Sequence, residues 1–195
     1  MIYVIEYLNN FSGKNTLKNT YYKIFLTYWL NDENEKARTY FNKIPFVGQK
    51  LYDSDNYAQK VSENKEYPDK NLTKIRLFTD GGYYEKALEI VKTISLSDFR
   101  LKKDKLEYFY RIGRLYHKYG KINDAITYYL KTIQLTTTET YYFAPNASLQ
   151  LGYIYLSKGD KQTARIYFTK ALNYKSHEYK NSIDNKAKVA LNNLK

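Results

Sequence analysis

His117 and His177 are the only imidazoles in this 195-residue chain, and there is no cysteine. An imidazole does acid–base or metal chemistry only beside a partner at a fixed spacing, and neither histidine stands in an HExxH pair. The absence of thiols removes disulfide scaffolds, thiol nucleophiles, iron–sulfur clusters and cysteine-ligated zinc. No GxSxG elbow and no Gly-rich phosphate loop occurs. Ser12-Gly13-Lys14 has the ending of a P-loop but lacks the earlier glycine and a preceding strand, so it reads as a polar turn. Asn10-Phe11-Ser12, Asn71-Leu72-Thr73 and Asn146-Ala147-Ser148 are glycosylation triplets, which an Asn-rich chain produces by chance. The expectation is a protein with no catalytic role, no cofactor and no metal.

What remains for chemistry is positive charge and aromatic surface. Lys and Arg number 32 against 20 acidic residues, a net charge of +12, beside 24 tyrosines and nine phenylalanines. Residues 1–70 carry +1 and residues 141–195 carry +6, so half the excess lies in the last 55 positions. A basic end attracts nucleic acid, acidic lipid or an acidic partner, although solvated helix faces account for most such lysines. The composition, 43% hydrophobic and 27% charged, is globular. Met1 to Asn10 has no basic n-region and Glu6 interrupts its apolar run, so it is a poor export signal and a cytoplasmic location is expected. The longest uncharged stretch, 140–157, contains Pro145, Asn146, Ser148, Gln150 and Gly152 and is no membrane span.

The elements that must position these groups show themselves as a repeat. A glycine is followed five residues later by an alanine at Gly82/Ala87, Gly120/Ala125 and Gly159/Ala164, with glycines 38 and 39 residues apart. Apolar residues flank each glycine at i, i+3, i+4, i+7 spacing. Before Gly120 these are Phe109, Ile112, Gly113 and Tyr116; after it come Ile122, Ala125, Ile126, Tyr129 and Ile133. Around Gly159 the same pattern runs through Ala147, Leu151, Gly152 and Tyr155, then Ala164, Phe168, Ala171 and Leu172. After Gly82 it runs through Tyr84, Ala87, Leu88, Val91 and Ile94. Each unit is helix, Gly turn, helix.

Small residues at these positions have a physical purpose. Gly113 and Gly152 lie on apolar helix faces, where a missing side chain lets a partner helix approach. Ala125 and Ala164 play the matching part, and Tyr116, Tyr129, Tyr155 and Phe168 fill the space left open. Gly120 and Gly159 suit the left-handed backbone that ends a helix, and Asn123 and Asp160 are placed to cap the next one.

This pattern resembles the tetratricopeptide repeat, a helix–turn–helix unit of about 34 residues. Its first-helix Gly and Tyr appear as Gly113/Tyr116 and Gly152/Tyr155, and its turn glycine as Gly120 and Gly159. The second-helix alanine is Ala125 and Ala164, and the aromatic Tyr129 and Phe168. Thr132 replaces the later small residue, which Ala171 keeps, and Thr137 and Ser176 stand for the closing proline. The unit around Gly82 is degenerate, with Ile75 and Phe78 at the first-helix positions. A further unit nearer the N-terminus is hinted at by Tyr28, Ala37 and Phe41, with Asp32 at the turn. Asp80–Leu88, Tyr110–Tyr116 and His177–Lys188 also resemble the C-terminal part of larger bacterial tetratricopeptide repeat proteins.

The expected fold is all-α, a single domain built as a solenoid of antiparallel helix pairs. Residues 1–45 form a weak helical pair and 46–70 a polar connector with one exposed helix near 55–66. A degenerate repeat follows at 71–105, then repeats at 106–140 and 141–176. Residues 177–195 form a capping helix with the stripe Ile183, Ala187, Ala190, Leu191 and Leu194.

The resemblance implies that first helices line a groove, and its register places Arg76, Tyr110, Arg111, Arg114, His117, Asn146 and Tyr153 there. Arg76, Arg114 and Tyr153 share one position in three successive units. Guanidinium binds carboxylate bidentately, so such a groove suits an acidic or C-terminal peptide. His117, near a helix end where the dipole favours its protonated form, is expected to line the groove rather than to catalyse. The function expected is a non-catalytic scaffold docking a peptide or helix of another protein. The alternative is a helical repeat that binds RNA or single-stranded nucleic acid.

Overall fold

The structure, a computed structural model, describes residues 16–138 and 140–194. The Ser12-Gly13-Lys14 turn, the Asn10 triplet and the start of the expected 1–45 pair lie outside them. The chain divides into two compact units, residues 1–70 and 71–195. The described residues form ten α-helices joined by turns and two short 3-10 segments.

In the first unit, α1 (Leu17–Leu30) and α2 (Asn34–Lys43) make a hairpin, followed by a 3-10 turn at Ile44–Phe46 and by α3 (Asp53–Glu63). Phe25, Ala37, Phe41, Ile44, Ala58 and Val61 form its core, with the Phe25 and Phe41 rings 4.6 Å apart. Helix α3 is not the exposed helix expected for the connector. It starts earlier, at Asp53, and its Ala58 and Val61 are sealed into the core. Asp55 also ties α3 to the hairpin. Its buried carboxylate accepts the Asn19 amide at 3.0 Å, supplying the start of α1 with an acceptor that Thr16 does not provide.

The second unit contains α4 (Lys70–Asp80) apart from its first residue, then α5 (Tyr84–Thr93), α6 (Lys102–Lys118), α7 (Ile122–Leu135), α8 (Phe143–Ser157), α9 (Lys161–Asn173) and α10 (Lys180–Asn192). A 3-10 turn at Leu96–Asp98 separates α5 from α6. Three buried clusters follow one another along the chain. Leu72, Ile75, Ala87, Ile112 and Leu115 join α4, α5 and α6. Tyr110, Ala125, Tyr129, Ala147 and Leu151 join α6, α7 and α8. Leu149, Ala164, Phe168, Ile183 and Ala187 join α8, α9 and α10. Helices α6 and α8 each serve two clusters, so stability passes from neighbour to neighbour as in a repeat stack.

The glycines act as the sequence implies. A Cβ built on Gly113 would lie 2.8 Å from the Tyr129 ring, and one on Gly152 would lie 2.5 Å from the Phe168 ring. At the turns Gly82, Gly120 and Gly159 take φ of +80°, +82° and +81°. The amide after each glycine donates to a carbonyl five residues back: Tyr83 to Phe78, Lys121 to Tyr116, Asp160 to Tyr155. Asp32 makes the same turn at φ +62°, with Glu33 donating to Tyr28. Asp160 caps α9 by accepting the Thr163 amide at 2.9 Å. Asn123 does not cap α7; Lys121 stands at that position and has no side-chain cap bond.

Candidate functional site

The second unit holds a cleft of about 640 Å³. Helix α4 contributes Arg76, and α6 contributes Tyr110, Arg111, Arg114, His117 and Lys118. The floor includes Tyr129 of α7, and α8 with the residue before it supplies Tyr142, Asn146, Leu149 and Gln150. The far wall is α10 and its approach, with Tyr179, Ser182, Ile183 and Lys186. Three arginines and two lysines line this space, and no carboxylate does.

The three arginines stand in different environments. Arg111 is buried and already paired. Its Nε and Nη2 donate to Glu107 Oε1 at 3.0 and 2.8 Å, and Nη2 also donates to the Tyr142 hydroxyl at 2.8 Å. The rings of Tyr110, Tyr142 and Phe143 surround its guanidinium. Burial alone would pull that guanidinium down; Tyr142 and Glu107 outweigh it and hold the group above its ordinary value. Arg114 is partly exposed and meets Asp80 at 2.7 Å. Arg76 is half-buried, and among the described residues its side chain makes no hydrogen bond or ion pair; the same holds for the side chains of Lys118 and Lys186.

A polar network fixes the floor between these cations. Asn146 Nδ2 donates to the Tyr110 hydroxyl at 2.7 Å, and Gln150 Nε2 donates to Asn146 Oδ1 at 3.2 Å. Burial pushes the Tyr110 and Tyr129 phenols up, so both remain neutral donors or acceptors at neutral pH. His117 lies with Nδ1 3.4 Å from the Tyr129 hydroxyl. Burial pulls its imidazole below the ordinary value, which reverses the expectation from the helix dipole: desolvation by the cleft walls outweighs the end of α6.

Six of the residues placed in the groove by register therefore meet in one cleft: Arg76, Tyr110, Arg111, Arg114, His117 and Asn146. Tyr153 does not join them. Its ring packs edge-on to Phe168 at 5.1 Å, filling the α8–α9 contact. The register does not reveal Tyr142, Tyr179, Ser182 or Lys186. Lys186 sits three residues after Ile183 of the apolar stripe, so the sequence does put it on a side of α10 next to the packed one. The Tyr142–Tyr179 contact, 5.2 Å between centroids, is a long-range pairing that periodicity does not show.

Among the described residues no group of three or more His, Cys, Asp or Glu could hold a metal, and no helix is long and apolar enough to cross a membrane. Residues 106–137 and 145–178 each match the tetratricopeptide repeat family. Neither a curated protein nor a solved structure matches the chain. The matched segments hold the helix pairs α6–α7 and α8–α9, with the glycine–aromatic contact and left-handed turn described above. These two helix pairs, and not the rest of the chain, are identified as tetratricopeptide repeats.

Proposed function

We propose that residues 71–195 form a non-catalytic docking module whose cleft takes an acidic peptide segment of a partner protein. Tetratricopeptide repeats generally mediate protein–protein interactions. The observation that carries the reading here is the cleft's one-sided charge: Arg76, Arg114, Lys118 and Lys186 face a space with no lining carboxylate. Guanidinium and ammonium groups in a partly desolvated cleft favour carboxylates, and neighbouring amide and hydroxyl groups fix their orientation. A volume of 640 Å³ falls within the range of roughly 300–1,000 Å³ typical of compact ligand sites, which suits a few extended residues better than a docked helix. His117 faces a phenol rather than a carboxylate, an arrangement without the orienting partner a general base needs.

The test is a fluorescence-polarisation titration of the full chain with labelled hexaglutamate, against a labelled single-stranded hexanucleotide of similar charge. The docking reading expects saturable binding of the peptide, competed by unlabelled hexaglutamate and only weakly by the oligonucleotide. Tighter, steeply salt-dependent binding of the oligonucleotide would favour a nucleic-acid ligand instead.

A further inference from the structure

Asp80 is the last residue of α4, where a negative charge meets the negative end of the helix dipole. Its place there is therefore not explained by the stability of its own helix. Its carboxylate instead reaches across to Arg114 of α6, at 2.7 Å from Nη2. Both groups keep contact with water, with side-chain exposures of 42% for Asp80 and 29% for Arg114. Arg114 lines the cleft; Asp80, its ion-pair partner, does not. Gly81 and Gly82, the next two residues, turn the chain sharply away, so the carboxylate stands at an open corner. Tyr110 of the cleft floor precedes Arg114 by one turn of the same helix, which puts the pair beside that floor.

Accessible pairs of this kind are weak, because each partner exchanges a hydrated state for a solvent-screened contact. Replacing one carboxylate by another on the same guanidinium costs little. Resting on the acidic-peptide reading of the cleft, we propose that Asp80 is a built-in competitor that occupies Arg114 until a ligand carboxylate displaces it. A ligand with one carboxylate then meets Arg76 and the lysines, while a ligand with closely spaced carboxylates also takes Arg114 from Asp80. The displaced carboxylate turns to water at the exposed corner. The cleft thereby prefers dense negative charge, and Asp80 sets how dense.

The experiment measures hexaglutamate affinity of the full chain for wild type, Asp80→Asn, Asp80→Ser and Glu89→Gln. Glu89 is exposed on α5 and does not line the cleft, so its replacement changes net charge by the same amount as Asp80→Asn. Both Asp80 variants are expected to bind about two- to fivefold tighter than wild type, the range that a weak exposed pair can withhold. Glu89→Gln is expected to stay near wild type. In an Arg114→Gln background the gain from Asp80→Asn should vanish. A gain equal to that of Glu89→Gln, or one that survives Arg114→Gln, overturns the proposal while leaving the acidic-peptide reading standing. If Asp80 were only a structural tie, Asp80→Asn would lower the thermal midpoint and bind no tighter. If no variant binds hexaglutamate, the reading of the cleft and this inference fall together.

Discussion

Gly113 and Gly152 are where single atoms decide the fold. The aromatic partner of each sits where a methyl group would be, at 2.8 Å for Gly113 and 2.5 Å for Gly152. An alanine there gains about 1 kcal/mol of helix propensity but overpacks the contact, which typically costs about 1–3 kcal/mol. Gly152→Ala, the tighter site, is therefore expected to lower unfolding free energy in urea by about 1–2 kcal/mol, and Gly113→Ala by less. The same contact explains what the sequence did and did not make legible. In the unit around Gly82 the glycine position is Ile75 and the aromatic position is Val91, two medium side chains in place of none and a large one. In the α1–α2 hairpin the equivalent pair is Phe25 and Phe41, both large. Side-chain volume at the joint is redistributed or increased while the turn stays the same, so a pattern of residue types fades although the architecture continues.

His117 is the other residue with a measurable consequence. Burial holds its folded pKa below the ordinary 6.5, so the unfolded chain takes up a proton first as pH falls. This contribution to stability is fully present above about pH 6.5 and is lost as pH falls below that value towards the folded pKa. The slope of stability between about pH 7 and pH 5 should accordingly be shallower in His117→Gln than in wild type, as read from urea midpoints. An unchanged slope would show that the imidazole is not desolvated in the folded chain.

Among the elements, α10 carries two roles that the sequence shows unequally. Its stripe of Ile183, Ala187, Ala190 and Leu194 is visible as periodicity and packs against α8 and α9. Its contribution of Ser182 and Lys186 to the cleft depends on how the helix crosses α8, which no local pattern encodes. The two roles separate by mutation. Ala187→Asp places a charge at a fully buried site and should cost several kcal/mol of stability. Lys186→Glu should leave the thermal midpoint near wild type and weaken hexaglutamate binding several-fold. Loss of stability in Lys186→Glu would mean that the residue supports the cap rather than the cleft. The connector shows the opposite failure: α3 is polar overall, and its apolar core contacts rest on Ala58 and Val61 with Tyr57 packed beside them, too few to mark it as buried from sequence.

At the scale of the molecule, the net charge of +12 has a local meaning in the second unit. Helix α4, the two repeats and α10 bring cations from several helices to one concave space and pair only some of them internally. Charge counting along the chain locates an excess in the last 55 residues, yet Arg76, Arg111, Arg114 and Lys118 of the cleft precede that stretch. Only the layering of α4, α6, α8 and α10 assembles them with Lys186. General electrostatic attraction and binding in the cleft therefore predict different outcomes for the same change of charge. The deciding measurement is the hexaglutamate affinity of Arg76→Glu beside Lys188→Glu, since each shifts net charge by the same amount and Lys188 is exposed outside the cleft. The cleft account predicts at least about a tenfold loss for Arg76→Glu, the scale of one charge-assisted contact removed and reversed, with little change for Lys188→Glu. Equal losses in the two variants would contradict it.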